Sequence, residues 1–387
     1  MTLLEEAKAL LPTLVKHRRF FHGVAEVGTL TKKTNAYIKK ELARLGISVC
    51  DCGGGVLATV KEGKGGILLR ADTDALPIKE ESGLSFSAEG GSAHACGHDL
   101  HAAMLLGTAE LLAGHKRELS HGVTLMFQNA EETLGGALSM IEDGALASSP
   151  AYAYALHVLT ASELPTGTVL IPPAGVSTAA SDFFYVDFFG RGAHGAMPER
   201  SVNPLVPLSH ALLALEGLLP REVGSEKQAV MSVCLLEGGG ALNAVPDKAR
   251  LGGSFRTHDA QTRAFLLSRI PRLCEGIADP FGVKTAFTHE AFCPALFISA
   301  EARAHALSQI ARFCADASVK ELPPFCEKPR GGSEDFSFVA ERVPSLFLSL
   351  AAGSKRDGYN HPLHHPKVRF DENALPCGAA LLAGLAM

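Results

Sequence analysis

Residues 94–107, HACGHDLHAAMLLG, bring three histidines, one cysteine and one aspartate into eight positions ahead of an apolar run. Cys96 and His98 stand one residue apart, so in an extended or turning backbone both side chains can point the same way and meet one ion or a pair of ions. Gly97 between them lets the main chain pass close to that centre. Asp99 precedes a helix-like run over 101–113, where it is expected to cap the helix and to accept from a ligating imidazole. Thiolate and imidazole donors at this density support divalent-metal binding.

The rest of the donor set is dispersed. A strand-like GVTLMFQNA ends at Glu131 and Glu132, followed by Gly135, Gly136 and a helix-like run to Gly144. Adjacent carboxylates at the exit of a buried strand push one another's pKa values apart. A cation relieves the conflict by taking one as ligand, and the other keeps a raised proton affinity that suits a general base. A solvated helix start facing the helix dipole accounts for the same pair. His157 ends the short apolar strand AYAYALHV, the kind of place where sites form in open α/β sheets; taken alone, it reads as a core histidine. The loop NHPLHHPKVRFDE offers His361, His364 and His365 beside prolines that stiffen it, and one of the three is expected to complete the site. Asp72 and Asp74, leaving the buried strand of GILLRADTDALP, either orient ligands and balance charge or form an ordinary turn.

In this order and spacing, LLRADTDALP, HACGHD, FQNAEE, LHV, AHGAMP and GGSEDFSF resemble the metal-dependent amidohydrolases that include hippurate hydrolases, auxin-conjugate hydrolases and N-acetyldiaminopimelate deacetylases. The resemblance runs over nearly the whole chain. It implies two divalent ions (Zn, Mn, Co or Ni) held by Cys96, His98, Glu132, His157 and His364, with Cys96 shared and His361 the reserve for the last position. It further implies Glu131 as general base, Asp74 as support for the ligand cluster, and His194 as the group that polarises the substrate carbonyl. Asn243 and Arg256 resemble residues near the scissile group or the substrate carboxylate; on their own they read as a turn residue before Val245-Pro246 and a strand-surface charge. An arginine suits a carboxylate because its planar fork makes two parallel charge-assisted hydrogen bonds. The implied reaction is hydrolysis of N-acyl amino acids. Asn129 stands where the family usually has Pro, RRFFHGVAEVG where a Pro-containing stretch is common, and Ala193 and Gly195 flank His194 in swapped order; these departures touch no implied ligand or base.

Two other classes use the same metals. A non-catalytic metal-binding or regulatory homologue is expected to lose Glu131 or His194, and both are present. A two-metal phosphoesterase fits thiolate ligation and a single nearby arginine less well than an amidohydrolase does.

These residues need a scaffold of more than one core. At 387 residues with 47% hydrophobic content, the chain is expected to form about two domains. Alternating strands and helices from Val56 to Val158 predict an α/β fold with a mostly parallel sheet, resumed over the C-terminal part. Between them, strand, helix, strand, strand, helix, strand predicts an inserted smaller α+β, ferredoxin-like domain. The expected division is 1–178 with 292–387 for the catalytic domain, and 179–291 for a lid or dimerisation domain. The resemblance further implies that this smaller domain pairs with its copy in a homodimer, with an open sheet edge on DFFYVDFFG; the sequence itself shows an amphipathic strand that could equally be covered internally.

Charge and composition narrow the partners. With 36 basic against 41 acidic residues, net −5, and no basic block, a nucleic-acid partner is not expected. No run approaches the roughly 18 apolar residues that span a bilayer. MTLLEEAKALLPTLVKHRRF reads as an amphipathic helix rather than an export signal. Nine scattered cysteines fit free thiols in a reducing cytoplasm, with Cys50 and Cys52 as buried thiols before a turn at Gly53.

Overall fold

A computed structural model of the chain describes residues 1–322 and 332–387. They divide into two compact units, the larger formed by 1–175, 297–322 and 335–387 and the smaller by 176–296 and 332–334.

The larger unit is built on an eight-stranded sheet in the order Ser48–Cys52, Gly55–Lys61, Val123–Gln128, Ile67–Asp72, Tyr152–Leu159, Ser345–Ala351, Val169–Ile171, Val319–Glu321. The four central strands, from Val123–Gln128 to Ser345–Ala351, run parallel. Ile67–Asp72 and Val123–Gln128 are buried at every residue, as expected of parallel strands covered on both faces. The carboxyl ends of these two strands and of Tyr152–Leu159 deliver Asp72, the Glu131 and Glu132 turn, and His157 to one end of the sheet.

The helix His98–Gly114 is buried along almost its whole length and packs against Leu11–Val24 and Leu375–Leu385. Each Leu, Met or Val taken out of water in such a layer contributes roughly 1.5–3 kcal/mol. The packing is close, for a Cβ on Gly107 would stand 2.3 Å from Leu14. The N-terminal stretch is two helices, Leu3–Ala9 and Leu11–Val24, rather than one. Pro12 causes the break: it has no N–H to donate, so it fits the first turn of a new helix but not the interior of an old one.

The smaller unit has strand, helix, strand, strand, helix, strand order, with Ala180–Phe189, Leu205–Glu216, Ala229–Gly238, Lys248–Thr257, Ala260–Ala278 and Lys284–Cys293 as its main elements. Its antiparallel sheet runs Ala229–Gly238, Lys248–Thr257, Ala180–Phe189, Lys284–Cys293. Phe184, Val186 and Phe188 meet Leu208, Leu266 and Ile270 of the helices in one core. The expectation of an open edge on DFFYVDFFG is corrected here: that strand pairs on both sides, and the edges are Ala229–Gly238 and Lys284–Cys293. The amphipathic pattern of DFFYVDFFG reflects one sheet face covered by helices, the internal cover that the sequence left open.

Candidate metal centre

Five donors meet at the strand ends of the larger unit. Cys96 Sγ lies 3.4 Å from His157 Nε2 and 3.3 Å from His364 Nε2. Glu132 Oε1 is 3.6 Å from His364 Nε2 and 3.9 Å from His98 Nε2. With metal–sulfur bonds of about 2.3 Å and metal–nitrogen bonds of about 2.0 Å, donors around one tetrahedral ion stand about 3.5 Å apart, so these separations match the edges of a coordination shell. Cys96, His98 and His157 form one group close enough to hold a cation, and Cys96, Glu132 and His364 a second that shares the sulfur.

The hydrogen bonds aim the imidazole lone pairs inward. His98 Nδ1–H donates to the Asp74 carbonyl oxygen at 2.9 Å, and His157 Nδ1–H to the Val158 carbonyl oxygen at 2.7 Å. Both Nε2 atoms are left as acceptors, the state a metal ligand requires. His98 Nε2 and Glu132 Oε1 are buried with no hydrogen-bond partner. An orphaned buried acceptor is costly, and a divalent cation removes the cost at both atoms. The donor set of sulfur, nitrogen and oxygen fits such an ion.

Electrostatics lead to the same conclusion. Burial pushes the Cys96 thiol up in pKa against the opposing charge of His98, so a thiolate here needs a cation beside it. Burial also raises Glu132, and it lowers His157, with His101 adding to the effect. For His98 burial opposes the charged form, but Asp72 and Cys96 outweigh it and hold the imidazole above its usual pKa, so a cation bound at Nε2 would displace a proton that otherwise faces these acidic groups.

Asp74 supports the acidic pair through the backbone. Its carboxylate oxygens accept from the Glu131 N–H at 3.1 Å and the Glu132 N–H at 3.3 Å. Glu131 is buried, with Oε2 3.9 Å from His98 Nε2. Two residues here take left-handed backbone without being glycine, Ala130 at φ 55° and His364 at φ 65°. Each such conformation costs on the order of 1–3 kcal/mol and persists where surrounding bonds enforce it, as the His364 N–H to Ala95 carbonyl bond of 2.8 Å does. Of the three C-terminal histidines, His364 is the one placed against Cys96, whereas His361 and His365 stack on each other with ring centres 4.3 Å apart.

The remaining sequence candidates lie in the smaller unit. His194 is exposed, in a short pairing with Ala244, and its Nδ1 accepts from the Ala196 N–H at 3.1 Å. Asn243 is next to that pairing, its carbonyl accepting from Gly195 at 2.7 Å. Arg256 Nη1 donates to Ser333 at 3.1 Å, and its guanidinium lies 5.5 Å from the Phe183 ring centre.

Two readings of the sequence are corrected. Asp99 neither caps the helix nor holds a ligating imidazole; it sits fully buried inside the first turn and accepts from Arg18 Nε at 3.1 Å and His22 Nδ1 at 2.9 Å. Cys50 is exposed because its strand forms the sheet edge, while Cys52 alone is buried. Sequence reasoning also passed over Arg70, which donates to Asp72 at 2.7 Å, Gln128 at 2.8 Å and Asp335 at 2.9 Å. A charged residue inside the apolar run ILLRAD was the available signal, since a guanidinium there must find buried partners.

Residues 68–387 match the model of peptidase family M20/M25/M40. The chain is 34% identical to an N-acetyl-L-cysteine deacetylase of Bacillus subtilis over 97% of this chain and 89% of the relative, and 33% identical to an IAA-amino acid hydrolase of Arabidopsis thaliana over 100% and 87%. Among solved structures, one from methicillin-resistant Staphylococcus aureus gives a TM-score of 0.90 at 29% identity, covering 99% of this chain and 97% of the other. A dinuclear metal binding peptidase of Bacillus subtilis from the M20 family gives 0.79 at 28% identity, covering 98% of each. The chain belongs to peptidase family M20/M25/M40.

Proposed function

We propose that this chain is a divalent-metal-dependent amidohydrolase that cleaves the amide bond of N-acyl amino acids, releasing a carboxylic acid and an amino acid. The observation that carries the reading is the adjacent acidic pair: Asp74 holds both amides, Glu132 faces Cys96, His98 and His364, and Glu131 stands beside His98. The relatives named as an N-acetyl-L-cysteine deacetylase and an IAA-amino acid hydrolase support the substrate class.

Cys96, His98, Glu132, His157 and His364 would hold two cations, with the sulfur shared. Bound there, the cations supply Lewis acidity and lower the pKa of water. Glu131 takes a proton from the attacking water at its carboxylate and returns it to the departing amine nitrogen, so one group serves as base and then acid. Asp74 fixes the main chain from which both glutamates project. His194, whose Nδ1 is engaged by Ala196, carries its proton on Nε2 and can donate to the carbonyl oxygen of the substrate as negative charge develops there. Asn243 and Arg256 complete the proposed substrate-binding groups, the guanidinium taking the substrate carboxylate.

The proposed assembly is a homodimer through the smaller unit, where Ala229–Gly238 and Lys284–Cys293 are the sheet edges. No helix among the described residues is long and apolar enough to cross a membrane, and the cysteines described are free thiols. The proposed compartment is the cytoplasm.

Purified protein is to be assayed against N-acetyl amino acids, benzoylglycine and a nitrophenyl phosphate, with and without chelator. Amine release that chelator abolishes and metal restores is expected for the amides. Cleavage of the phosphate alone, or metal binding with no turnover, would overturn the proposal.

A further inference from the structure

His101 lies one turn into the helix that begins at His98, fully enclosed, and nothing above gives it a role. Asp72, His98 and His101 stand close enough together to suggest a further cation group. The hydrogen bonds exclude His101 from it. Its Nε2 accepts from the Val158 N–H at 2.9 Å, and a backbone amide can only donate. Its proton therefore sits on Nδ1, which donates to Asp72 Oδ1. Both ring nitrogens are committed.

The sheet explains why a side chain is needed at this point. Pairing between Ile67–Asp72 and Tyr152–Leu159 ends at Arg70 with Ala155, so the latter strand runs on without its neighbour on that side. Val158 lies in this overhang, and its N–H would be a buried donor without a strand partner. His101 supplies the missing acceptor. The same residue's carbonyl accepts from His157 Nδ1, so His101 holds the peptide that joins His157 to Val158, while the next peptide sets the tautomer and tilt of the His157 ring. The rings of His101 and His157 meet edge to face with centres 4.6 Å apart. On the other side Asp72 is anchored by Arg70 at 2.7 Å, so the hold on His101 does not depend on one contact.

We propose that His101 is a positioning residue of the metal centre, which fixes His157 by accepting the Val158 amide and by bracing against Asp72. The proposal rests on reading His157 as a ligand. It is independent of His101 ever touching a cation or substrate.

Two substitutions separate the bonds. His101→Asn keeps a donor near the place of Nδ1 but offers Val158 nothing, whereas His101→Gln puts an amide oxygen near the place of Nε2. His157→Ala serves as the reference for loss of the ligand. Zn(II) affinity is read by competition with a chromophoric chelator, Co(II) absorption reports the donor set, and hydrogen exchange of the Val158 amide is followed in the metal-free proteins. Loss of partners in the surroundings of a ligating histidine typically weakens metal binding about 10- to 100-fold. His101→Asn is expected to show that loss at one Zn(II) site, a changed Co(II) spectrum and fast exchange at Val158; His101→Gln, which gives up only the brace against Asp72, is expected to keep slow exchange at Val158 and to lose clearly less Zn(II) affinity than His101→Asn. Equal behaviour of Asn and Gln overturns the proposal, as does slow exchange at Val158 in His101→Asn. If both variants lose a site as completely as His157→Ala, His101 is itself a ligand and the proposal fails. If His157→Ala binds Zn(II) as wild type does, the ligand reading of His157 fails first and takes the inference with it.

Discussion

Replacing Gly97 by alanine tests how tightly the ligand loop is packed, because Gly97 separates Cys96 from His98 and two distinct costs meet there. The first is conformational: φ is 90°, a left-handed backbone that costs an L-residue roughly 1–2 kcal/mol. The second is steric. A Cβ at this position would stand 2.4 Å from Val158 Cγ2 and 3.1 Å from Phe370 Cζ. Neither neighbour can turn aside cheaply, since Val158 is 0% exposed with a stiff β-branched side chain and Phe370 is 5% exposed. Overpacking of this kind costs typically about 1–3 kcal/mol, so Gly97→Ala should destabilise by about 2–5 kcal/mol. Gly46 isolates the first cost. It has φ 69° with nothing within 4 Å of a built Cβ, and Gly46→Ala should cost only about 1–2 kcal/mol. Urea unfolding of the metal-free proteins, read by circular dichroism, gives both differences. Equal losses for the two substitutions would refute the steric argument, and a loss at Gly97 below about 0.5 kcal/mol, the range of ordinary surface substitutions, would refute the packing described around the site.

Other consequences concern metal and pH. Zn(II) or Co(II) at about 100 times its dissociation constant should stabilise the protein by about 2.7 kcal/mol, with chelator reversing the gain in a thermal melt; an unchanged melting temperature would contradict the fit of a cation to His98 and Glu132. His22 is buried, which opposes its charge, but bonds to Asp99 and Glu80 raise its pKa from 6.5 to about 9. Because the folded value is the higher one, its contribution is fully present below about pH 6.5 and is lost as pH rises through about 9. The stability gap between wild type and His22→Gln should therefore narrow from pH 6 to pH 10 in urea titrations, and a constant gap would show that the charge on His22 does not support the fold.

The parts that a sequence exposes are those governed by local pattern. Apolar runs such as ILLRAD and VTLMFQ show as buried strands because a parallel strand is covered on both faces, and the clustered His and Cys donors are visible at a glance. Long-range satisfaction of buried polar groups is not visible. Asp99 looks like a cap when only its neighbours in the chain are considered, yet its partners are Arg18 and His22, which lie far away in sequence and share its burial. Arg70 and His101 are similar: their types are plain, but their partners Asp335 and Val158 become adjacent only once the sheet is assembled. Strand order is also set by the whole sheet, so the amphipathic pattern of DFFYVDFFG does not by itself distinguish an edge strand from the inner strand that it is.

The most direct measurement compares amine release from an N-acyl amino acid by wild type and Glu131→Gln, with bound metal counted in the same samples. A positioned general base contributes typically about 100- to 10,000-fold, so the account requires a loss of that size in kcat with the metal content unchanged. Near wild-type turnover by Glu131→Gln with its metal still in place would contradict it.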